Sequence, residues 1–408
     1  MATNAALAKG APNILQQVQQ YLTERLAVMD LFDETFTDRA KTNPWYCVGG
    51  MFYFTWVIVL VTGFWLLMWY TPTIEQGYAS IEHIQHELPF GWLFRAVHKY
   101  AGDAMIILAT MRSYRFVFTG DYKKPYEIVY FISIFAIIVC MYSGLTGYLL
   151  IWNQRAFWAT KVMVTFPTYI DATPGLGFQY FGRNTAFWWL GGGSIGQGTM
   201  TNFLTAHYAL SIIAFLLIEQ YFWKTKLRRM NMTWQQMLVT LAIVVGVVYM
   251  RPSEMGTFAN PTVTPNPILS DWYFLALYQL MKYQHPVTAT WVTVVIPAVA
   301  ILCAFMDVRP ERSLWDRPGM AVVSIGAFIQ WIALSVLIIL NIADIQRDPP
   351  FWYVSFMIPA VLAGWLEWLH FKKTKVPKGL WALPVFANQV LKRPSPTAKP
   401  EPKTAPAE

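Results

Sequence analysis

GWLFRAVHKYAGDAMIILATMRSYRFVFTG, residues 91–120, decides how this chain is read: it is a mostly apolar stretch, long enough to cross a bilayer, with His98 near its first end. An imidazole in a lipid-embedded helix is costly without a partner, which makes His98 a candidate site residue. His207 occupies the matching place near the start of TNFLTAHYALSIIAFLLIEQYFW, residues 201–223. Two histidines from two helices can clamp one haem iron from both faces. The alternative is a pair of unrelated polar residues, each hydrogen-bonded within a helical bundle.

Composition supports a membrane setting for that stretch. Of 408 residues, 55% are hydrophobic and only 13% charged, with 19 Trp, a surface that a water-soluble domain could not cover. The net charge of +8 would suggest nucleic acid in a soluble protein, but here Lys and Arg cluster in short loops between apolar spans, where they report topology. Nucleic acid is therefore excluded as a partner. Cys47, Cys140 and Cys303 are too scattered for a zinc site or a disulfide framework. The first 44 residues are polar or amphipathic rather than a basic stub with a short apolar core, so insertion is expected to be directed by the first span.

Residues 12–40 alternate apolar and charged positions and read as an amphipathic helix at the membrane interface. Apolar spans follow at 46–70, 95–117, 127–150, 202–223, 234–250, 288–307, 319–341 and 351–371, which predicts an all-α polytopic protein with eight transmembrane helices. Arg112, Arg115, Lys123 and Lys124 follow the second span, Lys224, Lys226, Arg228 and Arg229 the fourth, and Arg309, Arg312 and Arg317 the sixth. Those loops and both termini are expected on the cytoplasmic side. The long connections 151–201 and 251–287 then lie outside, and their Gly, Pro and aromatic content suits ordered, functional loops. The last fifteen residues, rich in Pro, Ala and Lys, read as disordered. In this topology the second and fourth helices run in the same direction, so His98 and His207 share a depth near the outer face.

The runs GWLFRAVH, SGLTGYLLIWNQRAFWATKVM, SIGQGTMTNFLTAHY and ANPTVTPNPILSDWYFLALYQL resemble cytochrome b of the Rieske/cytochrome b complexes, the bc1 and b6f enzymes, over roughly residues 40–345. The resemblance implies a b6-like four-helix haem-binding domain at 45–230 and a subunit-IV-like helical part with a quinol-site loop at 231–371. The flanks would be a cytoplasmic N-terminal segment, 1–44, and a cytoplasmic tail, 372–408. In that family the second and fourth helices each carry two histidines 13 or 14 residues apart. An offset of 14 residues is about 21 Å of helix rise, close to whole turns, so both ligands share one face.

The chain departs from the pattern on the inner side. Fourteen residues after His98 stands Arg112, before the retained Arg115, and fourteen or fifteen after His207 stand Tyr221 and Phe222. Arg and Phe cannot ligate iron, so a normal inner b haem is not expected. The family's glycines that meet porphyrin faces are matched by Gly49, Gly63, Gly144 and Gly147, but the inner position of the third helix is Ser133. Arg112 and Glu219 are candidates to pair there, and a snorkelling arginine is the alternative. NPWYCVGG resembles the segment in which a b6-type cysteine holds a further haem by one thioether, which would make Cys47 the anchor of a covalent haem c. A buried free cysteine is the bland reading.

On the outer side the family's Pro-Glu-Trp-Tyr motif reads Ser270-Asp271-Trp272-Tyr273. Asp271 can take a proton from quinol, with Tyr273 beside it, while a simple helix-capping Asp is the alternative. Ser270 replaces a proline that would stiffen the loop. By resemblance Arg95 would neutralise a haem propionate, and Tyr148, Trp152 and Phe157 would line the outer pocket. Asp103 is foreign to the pattern; it reads as a proton relay or as a bond to a neighbouring helix.

Two functions follow as expectations. One is the membrane subunit of a quinol-oxidising complex in a bacterial cytoplasmic membrane, an electron-transport oxidoreductase with one outer b haem held by His98 and His207. Its partners would be a Rieske-type iron-sulfur protein, c-type cytochrome subunits, quinone and lipid, within a homodimer. The other is a scaffold that anchors redox subunits, with one haem or none and no turnover of its own.

Overall fold

The first long helix among the described residues contains no charged residue. The computed structural model describes residues 45–340 apart from 46, 124–126, 174–179, 225–231, 266–268, 284–285 and 307–310, together with 358, 361–366 and 369. The N-terminal amphipathic segment, nearly all of the eighth expected span, the C-terminal tail and the side chains of Glu219, Tyr221, Phe222 and Cys303 lie outside the described residues.

Helix α1 (Val48–Leu67) is rich in β-branched and aromatic residues that elsewhere favour strands. In a lipid setting helix wins, because each backbone N–H and C=O must find its partner within the segment. A short helix, α2 (Gly77–His86), leads into α3 (Gly91–Thr119), which carries His98. Phe90 at φ 60° precedes α3, and Gly120 at φ 64° ends it by turning its N–H back to Phe116 and Val117 carbonyls. Helix α4 (Glu127–Leu149) completes the first set of long helices. Helices α5 (Gln154–Thr165) and α6 (Phe181–Leu190) structure the first long connection.

The next long rod is composite. Helix α7 (Gln197–Thr205) passes through one π turn (Ala206–Leu210) into α8 (Ser211–Lys224). Helix α9 (Trp234–Met250) follows, started by a capping box between Thr233 and Gln236. After the second long connection come a 3₁₀ turn (Trp272–Phe274), α10 (Leu275–Tyr283), α11 (Pro286–Met306) and α12 (Pro318–Ile339). Helix α3 is the hub, packed on α1, α4 and α9, while α4 also meets α8 and α11.

The protein is all-α and multi-pass. Among the described residues, Val48–Leu67, Ile128–Leu149, Gln197–Ile218 and Pro318–Ile339 are long and apolar enough to cross a membrane, and Trp234–Met250 and Pro286–Leu302 are shorter apolar helices. Helix α3 has ample length, 29 residues, but Arg95, Lys99, Asp103, Arg112 and Arg115 lower its mean hydropathy. The expected count of eight is therefore not reached among the described residues.

The two long connections dock on each other at one end of the bundle. Asn153 and Phe258 form an antiparallel bridge, Gln154 N–H donates to Thr257 O at 2.8 Å, and Asn153 Nδ2 donates to Met255 O at 2.6 Å. Basic loops are tied together elsewhere: Arg317, fully buried, donates to the Tyr122 hydroxyl (2.6 Å) and Val117 O (2.7 Å), and Arg312 lies 3.3 Å from Asp121.

Candidate functional site: a two-histidine pocket beside an acidic turn

The rod broken by the π turn carries His207 on that turn, and α3 carries His98. A π turn inside a helix is a frequent mark of a functional site, because it re-aims side chains that a regular helix would point elsewhere. Here it sets the two imidazole centroids 6.0 Å apart, with their planes at 70°. That separation suits one metal atom held between two ring nitrogens at the roughly 2 Å lengths usual for imidazole ligands.

The ring orientations follow from the backbone. His98 Nδ1 lies 3.0 Å from Val59 O on α1, and His207 Nδ1 lies 2.9 Å from Ser143 O on α4. A carbonyl only accepts, so in each neutral ring Nδ1 carries the proton and Nε2 keeps the lone pair that a metal needs. Thr62 and Thr146 hydroxyls sit 3.1 and 3.4 Å from the same Nδ1 atoms. Each threonine is followed by a glycine against which its histidine rests. A methyl at Gly63 would stand 2.9 Å from His98 Cε1, and one at Gly147 would overlap the His207 ring.

Both rings face a cavity of about 570 Å³, within the range of ligand pockets. Gly63, Gly147, Phe215 and Tyr148 contribute to its wall, and it extends to Asp271, Trp272 and Tyr273. The residues present thus fit a bis-histidine haem: each ring keeps its Nε2 lone pair free, the rings lie 6.0 Å apart, and Gly63 and Gly147 stand where a side chain would displace one. Among the described residues no group of three or more His, Cys, Asp or Glu gathers as a metal cluster, and a haem iron needs none.

Other expected residues fall differently. Gly144 faces Tyr273, whose hydroxyl would lie 2.5 Å from an added Cβ, and Gly49 faces open space. Arg95 is buried and gives its guanidinium to Gln85 Oε1 (2.7 Å), Ser253 O (2.9 Å) and Glu254 O (3.0 Å), which ties α3 to the second connection at the cavity edge. Trp152 and Phe157 do not line the cavity; they pack with Leu149, Met200 and Phe203 in a neighbouring apolar cluster. Arg115 lies 3.9 Å from Asp121 and over the Phe116 ring. Cys47 is buried at the start of α1, its Sγ 3.7 Å from Met51 Sδ.

At the opposite depth from the histidines, side chains fill the bundle. Arg112 is buried with Cζ 4.8 Å from the Phe52 ring centroid, and Phe52 packs at a tilt 6.1 Å from Phe215, which with Trp56, tilted against it at 6.3 Å, also lines the histidine cavity. Ser113 donates to the fully buried Ser133 at 3.1 Å. Arginine offers no lone pair to a metal.

Asp271 is not the cap that one reading expected: it precedes the 3₁₀ turn, but its side chain makes no capping hydrogen bond. Tyr273 lines the same cavity beside it, and Arg155, which no motif singles out, lies 3.5 Å from it and donates to Ser270 O at 2.7 Å. Burial raises the Asp271 carboxyl above its ordinary value; Lys99 opposes the rise, Asp103 adds to it, and Arg155 opposes it. Tyr273 is pushed well above its ordinary value, first by burial and then by Asp271 and Asp103. Asp103 bonds to a neighbouring element: its Oδ1 accepts from Trp272 Nε1 at 3.0 Å, and Lys99 Nζ lies 3.0 Å from its Oδ2.

Fold and pocket together define a membrane-embedded electron-transfer subunit, a helical bundle with paired histidines beside a buried acidic turn. A model described as Cytochrome b/b6/petB matches residues 35–249, and one described as Cytochrome b(C-terminal)/b6/petD matches 258–362, so the chain belongs to the cytochrome b/b6 family. Cytochrome b6 of Mastigocladus laminosus is 31% identical over 195 residues, 47% of this chain and 87% of that protein. The cytochrome bc complex cytochrome b subunit of Chlorobaculum thiosulfatiphilum is 32% identical over 284 residues, 62% and 63% of the two chains. The fold is shared with a chain of a hyperthermophilic respiratory Complex III, with a TM-score of 0.69 at 20% identity, covering 90% of this chain and 98% of the other.

Proposed function

We propose that this chain is the quinol-oxidising membrane subunit of a Rieske/cytochrome b type complex, with one b haem between His98 and His207 and no normal inner b haem. The observation that carries the reading is the continuity of one cavity from the histidine pair to Asp271 and Tyr273. The bound haem would supply a one-electron acceptor there. His98 and His207 orient it through their Nδ1 bonds to Val59 O and Ser143 O. Asp271 takes a proton from a quinol hydroxyl, helped by the burial that favours its protonated form, with Tyr273 beside it on the cavity wall. Quinol loses two protons and two electrons in becoming quinone: one proton goes to Asp271, the other leaves with one electron to a partner iron-sulfur protein, and a haem held by His98 and His207 would accept the second electron.

On the inner side, Arg112, Phe52 and Ser133 favour a bundle closed by side chains over a second histidine-ligated haem. Any inner group would then rest on Cys47, beside which Gly49 leaves open space. A scaffold without turnover is disfavoured by the maintenance of both Thr-Gly cradles and the acidic turn. The domain division at about residue 230, the homodimer, the c-type partners and the bacterial inner-membrane location with cytoplasmic termini belong to the same proposal. The test is reduction of the b haem by a short-chain quinol in the intact complex: Asp271→Asn should slow it about 100-fold or more, and an unchanged rate would refute the assignment.

A further inference from the structure

Helix α3 carries a polar pair that neither the histidine pocket nor the acidic turn requires. Lys99 and Asp103, one turn apart, lie on the cavity wall with Asp271, Trp272 and Tyr273. Asp103 divides its carboxylate: Oδ2 meets Lys99 Nζ at 3.0 Å, and Oδ1 accepts the Trp272 indole N–H at 3.0 Å. Its side chain is only 17% exposed and that of Lys99 is 36% exposed, so this is an ion pair at the pocket edge rather than a solvated surface contact.

The turn it grips is closed by one backbone bond, Phe274 N–H to Asp271 O at 2.9 Å. Ser270 stands where a proline would limit the backbone, and Asp271 makes no capping bond to the turn it precedes. Further restraint comes from two side chains outside the turn. Arg155 on α5 holds Ser270 O, and Asp103 on α3 holds Trp272, so the residues on both sides of Asp271 are fixed by neighbouring helices. We infer that Asp103, locked by Lys99 and the Trp272 indole, is a positioning residue of the quinol pocket that fixes the Asp271-Trp272-Tyr273 turn and places a second negative charge against Asp271.

The inference rests on the quinol-oxidising reading and deepens it. Two carboxylates sharing one buried pocket disfavour double ionisation, so a charged Asp103 keeps Asp271 disposed to accept the quinol proton. The groups acting on Asp271 are Lys99 and Asp103 from α3, Arg155 from α5 and Tyr273 from the turn itself, with Tyr148 of α4 acting on Tyr273. Asp271 must be ionised to act as a base, so turnover falls on the acid side of its titration.

Asp103→Asn retains an oxygen acceptor for Trp272 but removes the charge, and so separates the two roles. Lowering the proton affinity of Asp271 moves the acid limb of the pH–rate profile to lower pH, by about one unit; the Lys99 charge, released from its pair, acts in the same direction. Asp103→Ala also releases the indole and should raise KM for quinol about tenfold, while Asp103→Glu should restore the wild-type limb. The measurement is the pH dependence of b-haem reduction by decylubiquinol in the intact complex, for wild type and the three variants. An acid limb unmoved in both Asp103→Asn and Asp103→Ala, or a uniform loss of rate at every pH, would overturn the inference while wild-type turnover leaves the quinol reading standing. A wild-type complex that does not oxidise quinol would overturn that reading, and this inference with it.

Discussion

Gly147→Ala tests the histidine cradle at its tightest point. The new methyl would stand 2.9 Å from His207 Nδ1 and 3.0 Å from Nε2, whereas ordinary contact begins at 3.4 Å. Its nearest neighbour would be His207 Cε1, which it would overlap, so the imidazole must move by about an ångström, beyond the roughly half-ångström tolerance of a working metal site. Ser143, whose carbonyl receives the Nδ1 proton, is on the same helix as Gly147. A ring pushed that far off the helix stretches the 2.9 Å bond to Ser143 O well past useful hydrogen-bond length. Loss of such an outer partner typically costs a metal site about 10- to 100-fold in affinity, or about 1.4 to 2.7 kcal/mol. Gly49→Ala is the control, since its methyl meets no heavy atom within 4 Å, and alanine gains about 0.5–1 kcal/mol over glycine inside a helix. The assay is the haem-to-polypeptide ratio of the purified complex, with the midpoint potential of the b haem. Gly147→Ala should fall well below wild type while Gly49→Ala matches it. Equal haem content and potential in both would refute the cradle argument.

Two further outcomes follow from the acidic turn. Arg155→Met removes a positive charge that opposes protonation of Asp271, so the carboxyl rises further and the acid limb of quinol oxidation moves to higher pH; because Arg155 is half exposed the shift should stay below about one unit. Gly144→Ala drives a methyl against the Tyr273 hydroxyl and should raise KM for quinol while haem content stays at the wild-type level, which haem quantification alongside turnover will show.

Much of this arrangement was legible in the sequence, and the reasons are particular. The long apolar runs fix helices because lipid leaves the backbone no other partner, and α1, α4 and α12 fall within a few residues of the expected spans. His98 and His207 stand out because imidazoles are rare in such runs, and topology gives them a common depth. Their actual convergence depends on the π turn at Ala206–Leu210, which leaves the hydrophobic pattern unchanged and so gives no periodic signal. One signal was available: of the Thr-Gly dipeptides at 62–63, 119–120 and 146–147, the two that lie inside apolar spans are each placed against one histidine. Arg155 lies inside the run SGLTGYLLIWNQRAFWATKVM, but its hold on Ser270 and Asp271 joins positions more than 100 residues apart. Asp103 was visible as a misplaced charge, but its partner Trp272 was not, because a contact between α3 and a loop has no spacing to betray it. Gly144 lines the cavity as a glycine of that pattern would, and its approach to the Tyr273 hydroxyl is a tertiary contact that sequence spacing does not show.

The central claim is a single b haem, held by His98 and His207, in a bundle whose inner half is closed by Arg112, Phe52 and Ser133. The measurement that tests it most directly is a pyridine haemochromogen count of non-covalent b haem per chain in the purified complex, with His207→Ala alongside. The account predicts one b haem per wild-type chain and none in the variant. Two b haems per chain, or one retained after loss of His207, would contradict it.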